Sequence, residues 1–238
     1  MKTIFHPATE RGHANFGWLD SHHSFSFGQW HNAEKMHFGV LRVLNDDIVK
    51  GGAGFGTHPH DNMEIVSIPL SGALAHKDST GRSETINTGD VQIMSAGSGI
   101  AHSEYNASKT DAVNFLQVWV FPKKQDITPR YEQKTFDTVG RQNQWQVVVS
   151  PDENDKAVWI NQDAKFSLAT IDAGKELEYK NAFAGNGVYF FVLDGKATIG
   201  DTDANKKDGV GIYETDSVNV KATEKTALLA IEVPMKLN

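Results

Sequence analysis

The chain has 238 residues, of which 39% are hydrophobic and 22% charged, and its formal net charge is −7. That length suits two domains of roughly 110 residues each, and the acidic balance argues against the basic field of a protein that binds DNA or RNA directly. There are no cysteines, which excludes disulfides, thiolate metal sites and a cysteine nucleophile, so any metal must be held by nitrogen and oxygen.

From the N-terminus, residues 1–7 are not followed by an apolar h-region, and no signal peptide is expected. No apolar run reaches the ~18 residues of a membrane span, so no membrane contact is expected and the compartment is read as cytoplasmic. Segments 65–70, 91–94 and 115–120 are short, rich in β-branched and aromatic residues, and bounded by Gly, Asn, Asp or Pro, which is the signature of strands. A polar stretch, 140–144, follows. Then come three more such segments, 146–149, 188–193 and 228–233. No stretch keeps a 3.6-residue apolar period over three turns. The expectation is an all-β chain built as a barrel or jelly roll.

The two halves resemble each other. The segment around Gly72 matches that around Gly195, residues 89–94 match 208–213, and residues 115–122 match 228–234. An offset of about 120 residues is too long for a solenoid repeat and points to a duplicated domain, divided near 140–144. The halves differ in one respect: all ten histidines lie between His6 and His102, and residues 103–238 contain none. Histidine is the commonest metal ligand and the usual acid/base group near neutral pH, so the chemistry is expected in the first half.

Two clusters carry it. His58 and His60 stand at i and i+2, on one face of an extended strand, and Pro59 between them removes a ladder donor, which marks an edge. Glu64 shares their parity. After the glycines Gly97 and Gly99, which permit a tight turn, His102 and Glu104 repeat the same spacing. On facing strands the two pairs would give three imidazoles and a carboxylate around one divalent metal. An octahedral ion would keep two positions open. An isolated His-x-His pair is commonly a surface or packing feature; a second pair after a glycine turn is not.

Gly52-x5-His58-x-His60-x3-Glu64-x7-Gly72 resembles the first cupin motif, and 89–102 resembles the second. The long spacing from Glu64 to Gly72, Ser95-Ala96-Gly97 in place of Pro-x-Gly, and the ending His102-Ser103-Glu104 resemble pirins. So do 11–14, 17–21, 24–27, 41–47 and 127–133. The resemblance runs over 5–135, is closest to short bacterial pirin-like quercetin 2,3-dioxygenases, and is weaker in the second half.

The resemblance implies a bicupin of two tandem jelly-roll β-barrels: 1–138 a metal-binding barrel, 139–238 a degenerate barrel without metal ligands. It implies one metal held by His58, His60, His102 and Glu104, with Glu64 behind the ligands rather than among them. Iron(II), Fe(2+), is the first choice; Ni, Mn, Co, Cu or Zn also suit the donors. The implied activity is oxygenolytic cleavage of a flavonol-like aromatic substrate by O2 with release of carbon monoxide, the metal acting as Lewis acid and Glu104 as base. The alternative is a non-enzymatic, metal- or redox-dependent regulator that binds a protein partner such as a transcription factor or metabolic enzyme.

Of the other histidines, His13, His22, His23, His31 and His37 are read as structural or surface groups. His76 is read as facing the interior without an assigned role. Trp18, Phe25 and Phe27 are expected in the core. In the second half, gapless alignment places Asn181, Phe183, Gly187, Lys221 and Thr223 opposite His58, His60, Glu64, His102 and Glu104, so no metal is expected there.

Overall fold

The computed structural model describes residues 1–237. It is 57% strand and 4% helix, as the sequence predicts. Among the described residues no helix is long and apolar enough to cross a membrane. The strands form two barrels. In the first, a seven-stranded sheet runs in the order Arg130–Thr135, Asp90–Ser95, Glu64–Ser71, Val113–Val120, Leu41–Val49, Leu19–His23, Gly12–Asn15. It closes against a four-stranded sheet ordered Gly54–His60, Ile100–Asn106, Ala73–Asp78, Ser83–Asn87.

The second barrel repeats this plan with a seven-stranded sheet and the four-stranded sheet Glu176–Lys180, Ser217–Ala222, Lys196–Ile199, Thr202–Asn205. One strand of the first half of the chain belongs to the second barrel. Lys2–His6 pairs antiparallel with Gly209–Tyr213, so the N-terminus completes the edge of the second barrel's large sheet.

The large sheets pack face to face. Alternation along each strand sends one set of side chains into its own barrel and the other into the interface. Val66, Ile68, Leu116 and Val118 of the first half meet Tyr189, Phe191, Leu229 and Ile231 of the second in one buried cluster. This explains strands that read as nearly continuous apolar runs: both faces are covered. Truncating a side chain such as Phe191 to alanine would cost about 3–5 kcal/mol.

The interior of the second barrel is packed by Tyr179, Val188, Phe190, Val218 and Val220. The gapless alignment slipped in register: Asn181 and Phe183 lie beyond the strand Glu176–Lys180, and Lys221 is exposed. One buried carboxylate, Glu232, accepts from the Tyr179 hydroxyl, the Ala182 and Phe183 amides and the Asn186 side chain.

Candidate metal centre

His58 and His102 are direct cross-strand partners on Gly54–His60 and Ile100–Asn106. The turn leading into the second strand carries Gly97 at φ 49° and Gly99 at φ 130°. A side chain at Gly97 would strike the Ile127 carbonyl, so the turn that aims His102 requires glycine there. A bulge follows, pairing Glu104 with Phe55. It turns Phe55 to the face where unbroken alternation would put Gly56.

The three imidazoles of His58, His60 and His102 converge. Their ring centroids stand 4.8, 4.5 and 4.9 Å apart, and one nitrogen from each lies within 4.8 Å of the others. His58 Nδ1 donates to the Gly56 carbonyl at 2.8 Å, leaving Nε2 free. The Nε2 atoms of His60 and His102 are buried without a hydrogen-bond partner. Buried orphan polar atoms are costly, and here they fit an ion that none of the described side chains replaces. Burial, with the neighbouring His58 charge, pushes His60 down to about 4. Burial and then His58, His60 and His76 push His102 down to about 3. Both rings are therefore neutral donors at physiological pH.

Glu104 Oε2 lies 3.9 Å from His102 Nε2, which brings the carboxylate beside the imidazoles. Burial raises its pKa, against the nearby His76 and the hydrogen bonds from Ser67 and Gln117. Ser67 donates to Oε1 at 3.2 Å and Gln117 to Oε2 at 2.8 Å. Three nitrogens and one oxygen suit a divalent first-row transition ion.

His76, left without a role by the sequence reading, stands directly behind His102. The Asp78 carboxylate accepts from His76 Nε2 at 2.9 Å, and His76 Nδ1 lies 3.4 Å from His102 Nδ1. Burial pushes Asp78 up, but hydrogen bonds from Thr80 and His76 outweigh it and keep the carboxyl below its usual range. An ionised Asp78 accepts a hydrogen bond from His76 Nε2–H, which leaves His76 Nδ1 as a lone pair. His76 Nδ1 then accepts from His102 Nδ1–H, and His102 keeps its Nε2 lone pair for the metal.

Glu64 is not where the sequence reading put it. Its strand sends Ser67 into the barrel, so Glu64, an odd number of residues away, faces the opposite side with Val66 and Ile68. There it accepts from Ser95 Oγ at 2.8 Å and from the Asn161 amide of the second half at 3.1 Å. It joins the barrels and does not support the ligands.

The site opens into a cavity of about 750 Å³. Trp18 packs edge-on to Phe55 with centroids 5.2 Å apart, and Phe27 edge-on to Trp119 at 5.4 Å. Trp18 and Phe27, expected in the core, line this cavity; Phe25 is buried between the barrels as expected. A polar row crosses the large sheet on the barrel-interior side, and its His23, Asn45 and Gln117 line the cavity. His23, Asn45, Gln117, Ser67 and Gln92 are successive cross-strand partners on five adjacent strands. Gln117, Ser67 and Gln92 are single polar residues within apolar segments, a signal the sequence displayed. A separate group, His13, Asp20 and His22, lies on the hairpin at the rim; His13 donates to Asp20 at 2.7 Å and stacks on His22 at 4.4 Å.

Residues 5–120 match the family model described as Pirin, and residues 147–233 match the Quercetinase C-terminal cupin domain. The chain is 41% identical to the quercetin 2,3-dioxygenase of Escherichia coli (strain K12) over 95% of this chain and 96% of that protein. It is 34% identical to a pirin-like protein of Caulobacter vibrioides over 95% and 97%. The crystal structure of the bacterial pirin YhhW of Escherichia coli in complex with nickel(II) superposes with a TM-score of 0.92 at 39% identity, covering 98% of this chain and 99% of that one. Two cupin barrels, the paired matches and these relatives together show that the chain belongs to the pirin family.

Proposed function

We propose that this protein is a metal-dependent dioxygenase that cleaves flavonols such as quercetin with release of carbon monoxide. The observation that carries the reading is the junction of three unpartnered or free imidazole nitrogens and a buried carboxylate with an aromatic-walled cavity. The name of the Escherichia coli relative supports the substrate class. A deep, mostly apolar pocket with a few convergent polar groups is the form of a small-molecule site.

His58, His60, His102 and Glu104 would hold one divalent ion, with iron(II) the ion proposed. A relative's nickel(II) complex supports a first-row divalent metal of this kind. When bound, the metal supplies Lewis acidity, lowering the pKa of a coordinated hydroxyl. Trp18, Phe27, Phe55 and Trp119 would grip a flat polycyclic substrate and exclude water. Glu104 would take the proton of the flavonol 3-hydroxyl. Bound to the metal through one oxygen, its carboxylate would keep the other oxygen as the proton acceptor. Ser67 and Gln117 hold the carboxylate in place for that transfer.

The test is incubation of metal-loaded protein with quercetin in air, following flavonol absorbance and carbon monoxide together. Loss of flavonol matched by carbon monoxide supports the reading. Stable flavonol, or loss without carbon monoxide, overturns it.

A further inference from the structure

Beyond the metal centre, the cavity wall holds a second set of proton-handling groups that the reaction above does not use. Ser21 and Asp47 are cross-strand partners on Leu19–His23 and Leu41–Val49, and His23 and Asn45 are the adjacent pair two residues along. All four line the cavity and all are buried, at 2%, 4%, 4% and 2% exposure for Ser21, Asp47, His23 and Asn45. They are joined in a chain. Ser21 Oγ donates to Asp47 Oδ1, and His23 Nε2 stands 2.8 Å from Ser21 Oγ.

The chain has a direction. With its proton on Asp47's side, Ser21 Oγ can only accept from His23, so His23 carries its proton on Nε2. Its Nδ1 is then a bare lone pair, and that atom is buried with no partner. Asn45 Oδ1, on the neighbouring strand, is likewise buried and unpartnered. Directly opposed residues on adjacent strands hold their Cβ atoms ~5 Å apart. His23 and Asn45 both line the cavity as cross-strand partners, and each keeps one acceptor atom without a hydrogen-bond partner, a pair that matches two adjacent hydroxyl groups on one ring.

We propose that His23, Ser21 and Asp47 form a proton relay with its mouth at His23 Nδ1, taking the proton of a ring hydroxyl on a polyhydroxylated aromatic substrate whose adjacent hydroxyl is held by Asn45. This deepens, and rests on, the flavonol reading of the same cavity. In the step, the substrate O–H bond breaks and Nδ1–H forms; Nε2–H breaks and Ser21 Oγ takes that proton; the Ser21 O–H breaks and Asp47 takes the last one. The negative charge passes from the Asp47 carboxylate to the substrate oxygen, and His23 stays neutral with its tautomer exchanged. The ionised hydroxyl makes the ring richer in electrons, as reaction with dioxygen requires.

The electrostatics agree with that direction. Burial, then the charges of His22, His13 and Arg11, pushes His23 down to about 4, so His23 alone is a weak base. Burial pushes Asp47 up to about 7 despite the Ser21 hydrogen bond, with Asp46 and Glu104 adding to the rise. A final acceptor with a pKa near neutrality is matched to general base catalysis at neutral pH. The proton passes through His23 without charging it.

Two measurements test the relay. In the metal-loaded protein with quercetin under anaerobic conditions, the absorbance band of the ionised flavonol is followed against pH. Asp47→Asn and Ser21→Ala should move the ionisation midpoint of the bound flavonol up by about one pH unit or more and, in air, lower kcat on the order of 10²-fold. Ser21→Thr, which keeps the hydroxyl, should restore most of both. An unchanged midpoint in Asp47→Asn, with unchanged melting confirming the fold, overturns the proposal.

The second measurement needs no substrate. The ¹⁵N shifts of His23 should exchange between tautomers as Asp47 titrates near neutrality, and this change should vanish in Asp47→Asn. Shifts that ignore Asp47 overturn the relay. If quercetin neither binds nor is cleaved, the dioxygenase reading fails, and the nitrogen shifts still decide the relay.

Discussion

His76 Nδ1 faces His102 Nδ1 at 3.4 Å, and Asp78 anchors the other nitrogen of His76 at 2.9 Å. The three side chains set which nitrogen of His102 is left for a metal. Second-row partners of this kind commonly hold 10–100-fold of metal affinity. His76→Phe and Asp78→Asn are accordingly expected to weaken metal binding by about that factor while the protein still folds, as measured by chelator competition. Affinity unchanged in both variants would remove the chain Asp78–His76–His102 from the account.

Loss of a ligand itself should be harsher. His58→Ala and His102→Ala are expected to lose both metal and flavonol cleavage and to keep the circular dichroism of the native strands. Each barrel has its own apolar packing and shares the large core between the sheets, so the fold does not depend on the ion. Collapse of the dichroism on metal removal would make the site structural. His13→Ala, at the rim group of His13, Asp20 and His22, should leave metal content unchanged.

Glu104→Gln should retain more metal than either histidine variant and lose most activity. The surroundings accommodate the amide: its oxygen can accept from Gln117 and its nitrogen can donate to Ser67 Oγ, in place of the contacts now at 2.8 and 3.2 Å. What disappears is the ability to take a proton. Activity near wild type would eliminate Glu104 as the base and shift attention to His23 and Asp47, since Glu64 faces the other barrel.

Stability should depend on pH through groups with opposite signs. His6, His23 and His60 are pushed down to about 4, and His102 to about 3, by burial first in each case. The unfolded chain binds these protons near pH 6.5 and the folded chain does not, so metal-free stability falls as pH drops from about 6.5 towards 4. Asp47 works the other way. Its folded carboxyl holds a proton up to about 7, far above the unfolded value of 3.8, so its ionisation costs stability as pH rises through 4 to 7. Asp47→Asn removes that cost. The melting temperature of the variant relative to wild type should therefore rise between pH 5 and pH 8; a difference flat in pH would contradict a buried, neutral-range Asp47.

Much of this architecture could be read from the sequence. Short runs rich in β-branched and aromatic residues, bounded by Gly, Asn, Asp or Pro, and their repetition across the two halves, point to the two barrels. His58, His60, His102 and Glu104 were visible because strand spacing and a glycine turn place them together with no knowledge of distant contacts. Glu64 shows where that logic stops. Equal parity with His60 means a shared face only within one unbroken strand, and Asp61, Asn62 and Met63 turn the chain before Glu64 begins the next. Asn62 adopts φ 44° in that turn. Lys2–His6 could not be assigned to the second barrel because its partner, Gly209–Tyr213, lies at the far end of the chain. The gapless register of the second half failed for a similar reason: loop lengths differ between the repeats, and Phe183 and Lys221 fall outside the barrel interior. The polar row was legible in principle. Gln117 inside 115–120, Ser67 inside 65–70 and Gln92 inside 91–94 are single polar residues within apolar strands, and such interruptions mark a polar barrel interior as readily as a solvent face.

The most direct measurement is a crystal structure of the metal-loaded protein with an anomalous difference map at the absorption edge of the bound metal. One strong peak per chain is expected, bonded by the Nε2 atoms of His58, His60 and His102 and by the Glu104 carboxylate, with no peak inside the second barrel. A peak held only by His13, Asp20 and His22, or one within residues 146–234, would contradict it.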